Sequence, residues 1–419
     1  MSAGVLIVGA NQAGVQLAVS LRDGGYEDRI TLVGAEPHLP YQRPPLSKAF
    51  LSGKSELPSL AFRTQGFYEE QEITVVLGER IKSLTLPRAE GTDAGTARTQ
   101  TGRTLTYDRL ALTVGARPRR LPVPGADLDG VCYLRDADDA LQLRSELANA
   151  HSVVVIGGGF IGLEAASAAR SAGKSVTVVE AGDRLIARAV APVVSEFYRQ
   201  AHERRGTSVR LDAAVTALAG KRGRVSGVRL SNGTLLAADL VLVGIGVLPR
   251  TELAEQLGLA CQGGIVVDEY GRASAPGVVA AGDCTIFPHP RTGEGSIRLE
   301  SVQNAVSQAK VAAATILGRT EPYRDVPWFW SDQYDLKLQI AGLSAGYDEV
   351  VIRGDRDAER FAVLYYRDGL LVAADAVNSP ADYLSVRKAL TQGASIPAER
   401  AGDATTPLKT LIIPRAVAV

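Results

Sequence analysis

A glycine-rich turn near the middle of the chain contains residues whose identity and spacing could support chemistry. An apolar, β-branched run precedes Gly157, Gly159 and Gly162, and an alanine-rich helical pattern follows them. In such a strand–turn–helix unit the first glycine permits the tight turn, the second lets the backbone approach a pyrophosphate, and the third allows close helix–strand packing. The phosphates would bind free N–H groups at the helix N-terminus. The turn therefore predicts a dinucleotide site.

An acidic residue follows this turn at the distance expected for a ribose ligand. The second predicted strand, residues 175–179, ends at Glu180. An acid about 20 residues beyond the glycines binds the ribose 2′-hydroxyl in dinucleotide-binding folds. Because a carboxylate there would repel a 2′-phosphate, we expect NADH to be preferred over NADPH.

The N-terminal segment repeats this pattern with one difference. A predicted strand, residues 5–8, leads into Gly9, Asn11 and Gly14, and a helix and a second strand ending near Glu36 follow. Two nucleotide-binding units in one chain are most simply explained by FAD plus NAD. Asn11 replaces the middle glycine; it tolerates the left-handed conformation but carries a Cβ. We therefore expect it to loosen flavin binding without abolishing it.

Two further side chains occupy positions where chemistry is expected. Pro44 and Pro45 exclude a helix interior and predict a rigid loop that opens a helix near Ser47. Lys48 follows on this loop and is either a functional group or a solvated surface residue. Asp283 ends a predicted strand, where α/β sheets bind ligands, so it could accept hydrogen bonds from the ribityl hydroxyls of a flavin.

Composition limits the class of protein. With 419 residues the chain predicts two to four domains of about 100–200 residues each. Its 46 basic and 46 acidic residues balance, which argues against a nucleic-acid or membrane-surface role for the whole molecule. No apolar run approaches the roughly 20 residues of a membrane span, and the N-terminus lacks the pattern of a signal peptide.

The cysteines indicate neither a metal site nor a redox pair. Cys132, Cys261 and Cys284 are far apart, without C-x-x-C or metal-ligand spacing. We interpret them as core or surface residues, expect no bound metal, and expect a reducing, cytoplasmic location.

The last quarter of the chain has a different pattern. Strand-like runs cover residues 338–341, 349–353, 361–366 and 370–374, and a helix is predicted near residues 381–392. These runs predict a small antiparallel sheet with a helical cover.

The fold expected from these patterns is α/β, with two Rossmann-like dinucleotide-binding domains, for FAD and for NAD, plus a C-terminal α+β domain with an antiparallel sheet. The expected boundaries are residues 1–114 and 246–323 for the discontinuous FAD domain, 115–245 for the NAD domain and 324–419 for the C-terminal domain. Trp328 and Trp330 open this last domain, where we expect it to meet the flavin; core packing is the alternative interpretation.

Taken together, these motifs resemble one family closely. The chain is similar to the oxygenase-coupled ferredoxin reductases, which are FAD/NADH proteins of the glutathione reductase structural class. The resemblance covers nearly the whole chain. Besides the two dinucleotide motifs it rests on Pro-Pro-Leu-Ser-Lys at 44–48, Gly-Asp-Cys at 282–284, Glu-Ser-Val-Gln-Asn at 300–304 and Trp-Phe-Trp-Ser-Asp-Gln at 328–333.

The resemblance implies roles for individual residues. It implies that Lys48 lies beside the isoalloxazine ring, paired with Glu164, and that these two are the catalytic residues. Ala35 and Glu36 compete for the position that binds the adenosine ribose, and we favour Glu36. The predicted cofactor-binding residues, from the motifs and the resemblance together, are Gly9, Asn11, Ala13, Gly14, Ala35, Glu36, Arg43, Lys48, Ile81, Arg135, Gly157, Gly159, Ile161, Gly162, Glu180, Gly246, Gly282, Asp283, Val302 and Trp330.

The resemblance also implies a reaction and a partner. We expect an FAD-dependent NADH–ferredoxin reductase, in which a hydride passes from NADH to FAD and single electrons then pass to a [2Fe–2S] ferredoxin that serves a cytochrome P450 or another oxygenase. Such ferredoxins are usually acidic, so a basic patch should steer docking. The candidate docking residues are Lys310, Arg387, Lys388 and Lys409, for each of which a solvated surface charge is the alternative.

Two other functions share this fold. A flavin-dependent NADH oxidase, peroxidase or disulfide reductase needs a redox cysteine beside the flavin, and residues 43–48 contain none. A flavoprotein like apoptosis-inducing factor would be expected to carry targeting segments and a basic nucleic-acid-binding surface, and neither is evident in this sequence.

Overall fold

The computed structural model describes residues 2–87, 94–290, 293 and 295–414. Its contacts divide the chain into two compact units. Unit 1 comprises residues 1–42, 57–117 and 248–325, and unit 2 comprises residues 43–56, 118–247 and 326–419. Unit 1 includes most of the predicted FAD domain, whereas unit 2 includes most of the predicted NAD domain and nearly all of the predicted C-terminal domain. No helix within the described ranges is long and apolar enough to cross a bilayer.

In chain order, the strands are β1 (Val5–Val8), β2 (Ile30–Val33), β3 (Ile73–Val76), β4 (Ile81–Thr85), β5 (Gly95–Thr99), β6 (Thr104–Tyr107), β7 (Arg109–Leu112), β8 (Ala116–Pro118), β9 (Val131–Cys132), β10 (Ser152–Ile156), β11 (Ser175–Val179), β12 (Ser208–Arg210), β13 (Val215–Lys221), β14 (Arg224–Leu230), β15 (Leu235–Ala237), β16 (Leu240–Val243), β17 (Val247–Pro249), β18 (Ile265–Val266), β19 (Val278–Ala280), β20 (Thr285–Pro288), β21 (Ser296–Ile297), β22 (Trp328–Gln333), β23 (Leu336–Gly342), β24 (Glu349–Asp355), β25 (Arg360–Arg367), β26 (Leu370–Val377), β27 (Ala394–Ser395) and β28 (Ile413–Pro414). The helices are α1 (Gln12–Asp23), α2 (Gln65–Glu70), α3 (Ala137–Asn149), α4 (Phe160–Ser171), α5 (Pro192–Arg204), α6 (Glu252–Gln256), α7 (Val302–Ile316), α8 (Pro380–Thr391) and α9 (Ala398–Ala401), with 3-10 helices at Pro44–Ser47, Leu57–Leu60 and Leu408–Thr410.

Unit 1 is built on a parallel sheet of order β19-β7-β1-β2-β3. All four residues of β1 are buried, because a strand in the middle of a parallel sheet is covered on both faces. Helices α1 and α7 pack together over this sheet through small and apolar side chains such as Leu17, Ala309 and Ala313. The N-terminal strand–turn–helix–strand unit predicted from the sequence is present.

Unit 2 contains a second parallel sheet, of order β12-β11-β10-β16-β9. The β-branched run of β10 is buried, and α4 packs on it through Ala165, Ala166 and Ala169. Alanine at these positions lets the helix approach the sheet closely and favours helix formation. The central strand, turn and helix therefore form as the sequence predicts.

The C-terminal part of unit 2 is an antiparallel sheet of order β22-β23-β26-β25-β24, against which α8 packs. Asp368 and Gly369 join β25 to β26 with φ +51° and +71°. Two left-handed residues match the twist of a tight hairpin. The predicted fold class, two parallel nucleotide-binding sheets plus a C-terminal antiparallel sheet, is confirmed.

Two local expectations differ from the structure. Residues Trp328–Gln333, interpreted as an opening segment, form the edge strand β22; three consecutive aromatic residues show no alternation that could indicate a strand. The helix expected to open near Ser47 is instead the 3-10 helix Pro44–Ser47, which ends there, since two consecutive prolines remove the N–H groups that a helix interior needs.

Candidate active site

The glycine turn of unit 2 joins β10 to α4 and leaves the start of that helix open. Gly157 has φ +108°, and a Cβ there would lie 2.4 Å from the carbonyl oxygen of Gly244. A Cβ on Gly162 would lie 2.2 Å from the carbonyl oxygen of Gly157. Gly159 is the N-cap residue; among the described residues no side chain caps the helix, and no atom beyond the chain neighbours lies within 4 Å of a Cβ added there. Helical N–H groups with open space before them fit the pyrophosphate of a dinucleotide.

The carboxylate of Glu180 lies beside this turn. One of its oxygens accepts a hydrogen bond from the N–H of Gly158 at 2.7 Å, and the other accepts one from the N–H of Gly182 at 2.8 Å. The acid predicted to select NADH is thus fixed by two backbone groups. Ile161, in the first turn of α4, is 45% exposed, and Gly246 follows β16 in the same unit.

The glycine turn of unit 1 has the same backbone requirements. Gly9 has φ +118°, and a Cβ there would lie 2.2 Å from the carbonyl oxygen of Thr113. A Cβ on Gly14 would lie 2.0 Å from the carbonyl oxygen of Gly9. The outer positions of both turns therefore exclude any side chain.

Asn11, the middle residue of this turn, contributes through its side chain and does not adopt the left-handed conformation. Asn11 has φ −132° and ψ −166°, which is extended backbone that any residue adopts, so its tolerance of the left-handed conformation is not used. Its Oδ1 accepts hydrogen bonds from the N–H groups of Ala13 at 3.1 Å and Gly14 at 3.3 Å. Its Nδ2 donates to the carbonyl oxygen of Thr113 at 2.5 Å. Asn11 thus caps α1 with its own side chain.

The other predicted cofactor-binding residues of unit 1 lie beside Gly282, at the start of β4 and at the start of α7. Ala13 meets Gly282, on which an added Cβ would lie 3.3 Å from the Ala13 Cβ, and the half-buried Asp283 follows directly. Ile81 is buried in the core at the start of β4, and Val302 is half-buried at the start of α7.

The two candidates for the ribose position differ in what they offer. Ala35 is exposed and has no polar side chain, whereas Glu36 is half-buried and its carboxylate accepts a hydrogen bond from the hydroxyl of Tyr41. Only Glu36 has side-chain oxygens that could accept from a ribose hydroxyl.

Lys48 and Glu164 form a partly buried ion pair in unit 2. The Lys48 Nζ lies 2.5 Å from Glu164 Oε2, and the two side chains are 20% and 2% exposed. The hydroxyl of Ser47 donates to the same oxygen at 2.7 Å, and the hydroxyl of Ser331 donates to Oε1 at 2.7 Å. Glu164 lies just inside α4, the helix that begins at the open glycine turn. The structure therefore brings the two predicted catalytic residues together.

Arg43 and Arg135 also meet in unit 2. A guanidinium nitrogen of Arg43 donates to the Arg135 carbonyl oxygen at 2.6 Å, and the Arg135 N–H donates to the carboxylate of Asp139 at 2.9 Å. Burial, together with the neighbouring Asp136, raises the pKa of Asp139. These contacts hold the two predicted flavin-binding arginines in one cluster.

Trp330 lies on β22, half-buried, with its ring centroid 5.7 Å from that of Trp328. Between them on the other face of the strand, Phe329 packs against Phe160 at 4.6 Å. Phe160 is the first residue of α4, so β22 holds the start of that helix.

The cysteines do not form a redox centre. All three are free. Cys132 and Cys284 are buried, and burial raises the pKa of each thiol to about 12. A thiol protonated at neutral pH is a poor nucleophile.

The predicted docking residues lie at the surfaces of the two units. Lys310, on α7 of unit 1, is exposed; Lys388 and Lys409, in unit 2, are exposed as well. Arg387 is half-buried, with its guanidinium 5.0 Å from the centre of the Trp328 ring.

Sequence reasoning missed the polar partners of the ion pair, Ser47 and Ser331. Ser331 lies 167 positions from Glu164, so no local spacing connects them. Ser331 and Gln333 do alternate along one strand, and both are fully buried. Polar residues alternating on the buried face of a strand are a usable signal once the strand itself is recognised.

Comparison with known proteins agrees with this geometry. The pyridine nucleotide-disulphide oxidoreductase family model matches residues 3–309, and a reductase C-terminal family model matches residues 328–412. Rhodocoxin reductase of Rhodococcus erythropolis is 46% identical over 410 residues, which cover 97% of this chain and 94% of that protein.

Solved structures are similar over the same length. The ferredoxin reductase for the CYP199A2 system from Rhodopseudomonas palustris has a TM-score of 0.93 at 44% identity, covering 97% of this chain and 99% of that one. Putidaredoxin reductase in its covalent complex with putidaredoxin has a TM-score of 0.92 at 38% identity, covering 97% of each chain. The family resemblance inferred from the motifs is confirmed: the chain belongs to the pyridine nucleotide-disulphide oxidoreductase family.

Proposed function

We propose that this protein is an FAD-dependent NADH–ferredoxin reductase that supplies electrons to a [2Fe–2S] ferredoxin. The observation that carries the proposal is the Lys48–Glu164 ion pair, set on the helix that begins at the open glycine turn of unit 2. Full-length similarity to reductases named for ferredoxin-type partners supports it.

The residues of unit 2 fit a nicotinamide dinucleotide. The N–H groups at the start of α4 would hold the pyrophosphate, since no side chain in the described part of the chain caps them. Glu180 would accept from the ribose hydroxyls and exclude a 2′-phosphate by charge, which favours NADH. Ile161, exposed in the first turn, offers an apolar surface for the bound dinucleotide.

The residues of unit 1 fit a flavin dinucleotide with one local adjustment. Gly9 and Gly14 allow the tight turn, and Glu36 offers oxygens to a ribose. Asp283, beside Gly282, would accept from the ribityl chain. The Asn11 side chain must release the N–H groups of α1 for phosphates to reach them. Arg43, Arg135, Ile81, Val302 and Trp330 complete the proposed set.

The chemistry that these residues support is electron transfer in two stages. Bound FAD would supply the conversion between NADH, which donates two electrons as a hydride, and an acceptor that takes one electron at a time. The Lys48 ammonium group would stabilise negative charge that develops beside it. Glu164 would orient both the lysine and the nicotinamide, because its carboxylate is held on both oxygens. With buried, high-pKa thiols in two of three cysteines, a dithiol reductase is disfavoured.

The proposed partner is an acidic [2Fe–2S] ferredoxin, which would in turn serve a cytochrome P450 or another oxygenase. Lys388 and Lys409 are exposed cations of unit 2, and Arg387 stacks on Trp328. Lys310 is the corresponding candidate in unit 1. These charges would raise the association rate with an acidic partner, in a salt-dependent way.

Substitution of Lys48 tests the role of the Lys48–Glu164 ion pair. Lys48→Ala should slow flavin reduction by NADH roughly a hundredfold, because one charged donor is removed from the reacting centre, while the yellow flavin stays bound. The measurement is anaerobic stopped-flow absorbance. Lys54→Ala, an exposed lysine of the same segment, is the matched control and should leave the rate unchanged. A normal rate in Lys48→Ala would contradict the role of the ion pair.

A further inference from the structure

A line of buried hydrogen bonds leads away from the ion pair into unit 2. From Glu164 Oε1 it passes to the Ser331 hydroxyl at 2.7 Å, then to the Gln333 amide nitrogen at 3.1 Å. The Gln333 amide oxygen lies 2.9 Å from Nε2 of His202. Ser331, Gln333 and His202 are 0% exposed and Glu164 is 3% exposed. Water therefore has no access to these contacts.

The direction of each hydrogen bond in this line is fixed by chemistry. An amide oxygen can only accept, so Nε2 of His202 must carry the proton and donate to Gln333. The Gln333 amide nitrogen can only donate, so it donates to Ser331, whose own proton is then directed to Glu164. Every donor in the line is aimed toward one carboxylate oxygen.

The far end of the line is a neutral histidine. Burial lowers the pKa of His202 to about 4, so its ring is uncharged near neutral pH. Its Nδ1 is buried without a hydrogen-bond partner among the described residues. The ring therefore keeps the Nε2–H tautomer that the line requires, and adds no charge to it.

Burying four polar side chains is costly unless each finds its partner. Three separate elements supply them: Glu164 from α4, His202 from α5, and Ser331 and Gln333 from alternate positions of β22. A buried polar network in which the members find partners is rigid and has one arrangement, which suits side chains that must hold a carboxylate in place.

Each oxygen of the Glu164 carboxylate accepts a hydrogen bond from a buried serine hydroxyl, Ser47 at Oε2 and Ser331 at Oε1. Lys48, which also contacts Oε2, is 20% exposed and can exchange partners. The buried serines are thus able to keep the carboxylate oriented while Lys48 moves, and Ser331 connects it to Gln333 and His202.

We propose that Ser331, Gln333 and His202 are positioning residues that hold Glu164 in the orientation required for reduction by NADH. This inference rests on the proposed function. It assigns to the second half of the Trp-Phe-Trp-Ser-Asp-Gln run a part in the reaction that is separate from the tryptophans.

The test uses the FAD-loaded protein and removes the link next to Glu164. Ser331→Ala should slow flavin reduction by NADH at least about tenfold, since small displacements of a reacting group have large effects on rate. It should also shift the midpoint potential of the flavin, measured by dye-equilibrium titration without NADH, in the same direction as Lys48→Ala. Ser331→Thr, which keeps the hydroxyl, should restore both.

Two more variants separate positioning from stability. His202→Phe, at the far end, should slow reduction in the same sense but less, and it serves in place of Ser331→Ala should that variant fail to fold. Asp375→Asn is the matched control: Asp375 is buried in the same unit and accepts from the Tyr365 hydroxyl, outside the line. Asp375→Asn should lower the midpoint temperature of thermal unfolding without changing the reduction rate or the flavin potential.

Unchanged reduction rate and potential in both Ser331→Ala and His202→Phe, with a lowered thermal midpoint like that of Asp375→Asn, would overturn the inference. Equal slowing in Asp375→Asn would overturn it as well, because the effect would then be general. Failure of the proposed function looks different: the wild-type flavin would either not be reduced by NADH or be reduced without passing electrons to a ferredoxin, and in both cases the potential of Ser331→Ala could still be compared with that of the wild type.

Discussion

The two glycine turns have glycine at both outer positions but differ at the middle position, which is Asn11 in unit 1 and Gly159 in unit 2. Gly9 and Gly157 are both left-handed, at φ +118° and +108°. At the middle position, Asn11 caps its helix with its side chain, whereas Gly159 leaves the helix uncapped. Both middle residues are extended, so the backbone does not require glycine there.

This difference shows what the middle glycine contributes. In both turns the outer glycines are needed for chain geometry, because a Cβ would meet backbone oxygen. The middle position decides instead whether the helical N–H groups are free for a ligand or bound by the protein itself. In unit 2 they are free, and in unit 1 the Asn11 amide binds those of Ala13 and Gly14.

The strand-end acids differ in a parallel way. Glu180 accepts from the N–H of Gly158 in its glycine turn and from that of Gly182 two residues further on, whereas Glu36 accepts from the Tyr41 hydroxyl. The unit 2 acid is therefore tied to the turn beside it, and the unit 1 acid to a side chain of the following loop.

The largest expected effect comes from filling the outer positions. Gly14→Ala and Gly162→Ala should each lower the free energy of unfolding by ~3 kcal/mol, because the added Cβ would lie 2.0 Å and 2.2 Å from a carbonyl oxygen. Thermal denaturation followed by circular dichroism measures this. Gly159→Ala is the control, within about 0.5 kcal/mol of wild type, since its Cβ meets open space. An equal loss of unfolding free energy in all three variants would show that the outer and middle positions do not differ in their need for glycine.

A smaller effect is expected at the unit 2 acid. Glu180→Ala should narrow the NADH/NADPH preference about tenfold, which corresponds to ~1.4 kcal/mol, because the charge that repels a 2′-phosphate is gone. Steady-state kcat/KM with each nucleotide measures the preference. Glu180→Gln, which keeps the shape and one acceptor for the turn, should narrow it too, and an unchanged ratio in both variants would show that another residue selects the nucleotide.

The smallest effect, and the most direct test of the comparison, comes from exchanging the middle residues. Asn11→Gly should tighten FAD binding about fivefold, as expected when ligand phosphates no longer compete with a hydrogen bond worth ~1 kcal/mol. Gly159→Asn should weaken NADH binding by at least a similar factor, because its side chain would enter the open space before α4 and could cap the N–H groups proposed for the pyrophosphate. Fluorescence titrations measure the dissociation constants for FAD and for NADH. Weaker FAD binding in Asn11→Gly would mean that the Asn11 side chain contributes to the flavin site.

Local patterns predicted the elements better than they predicted the site. The β-branched runs of β1 and β10, each followed by a glycine turn, were sufficient to place both parallel sheets. β22 was missed because its aromatic run hides the alternation of a strand. The capping role of the Asn11 side chain was not predicted, because residue type alone does not show which hydrogen bonds form at a helix N-cap.

Contacts between distant residues could not be derived from spacing. Lys48 and Glu164 are 116 positions apart, and their pairing was expected only because the motifs resemble a family. Ser331, Gln333 and His202 were not expected at all, since polar residues in a strand are ordinarily assigned to its solvent face. Tertiary packing of α4, α5 and β22 brings them together.

The measurement that tests the central claim most directly is NADH-dependent reduction of cytochrome c by the purified FAD-loaded protein, with and without an added [2Fe–2S] ferredoxin. We predict a large, saturable stimulation by the ferredoxin, weakened by salt. If NADH bleaches the flavin but no [2Fe–2S] ferredoxin in a panel stimulates the reaction, and oxygen is consumed instead, the protein is an oxidase and the proposed function is contradicted.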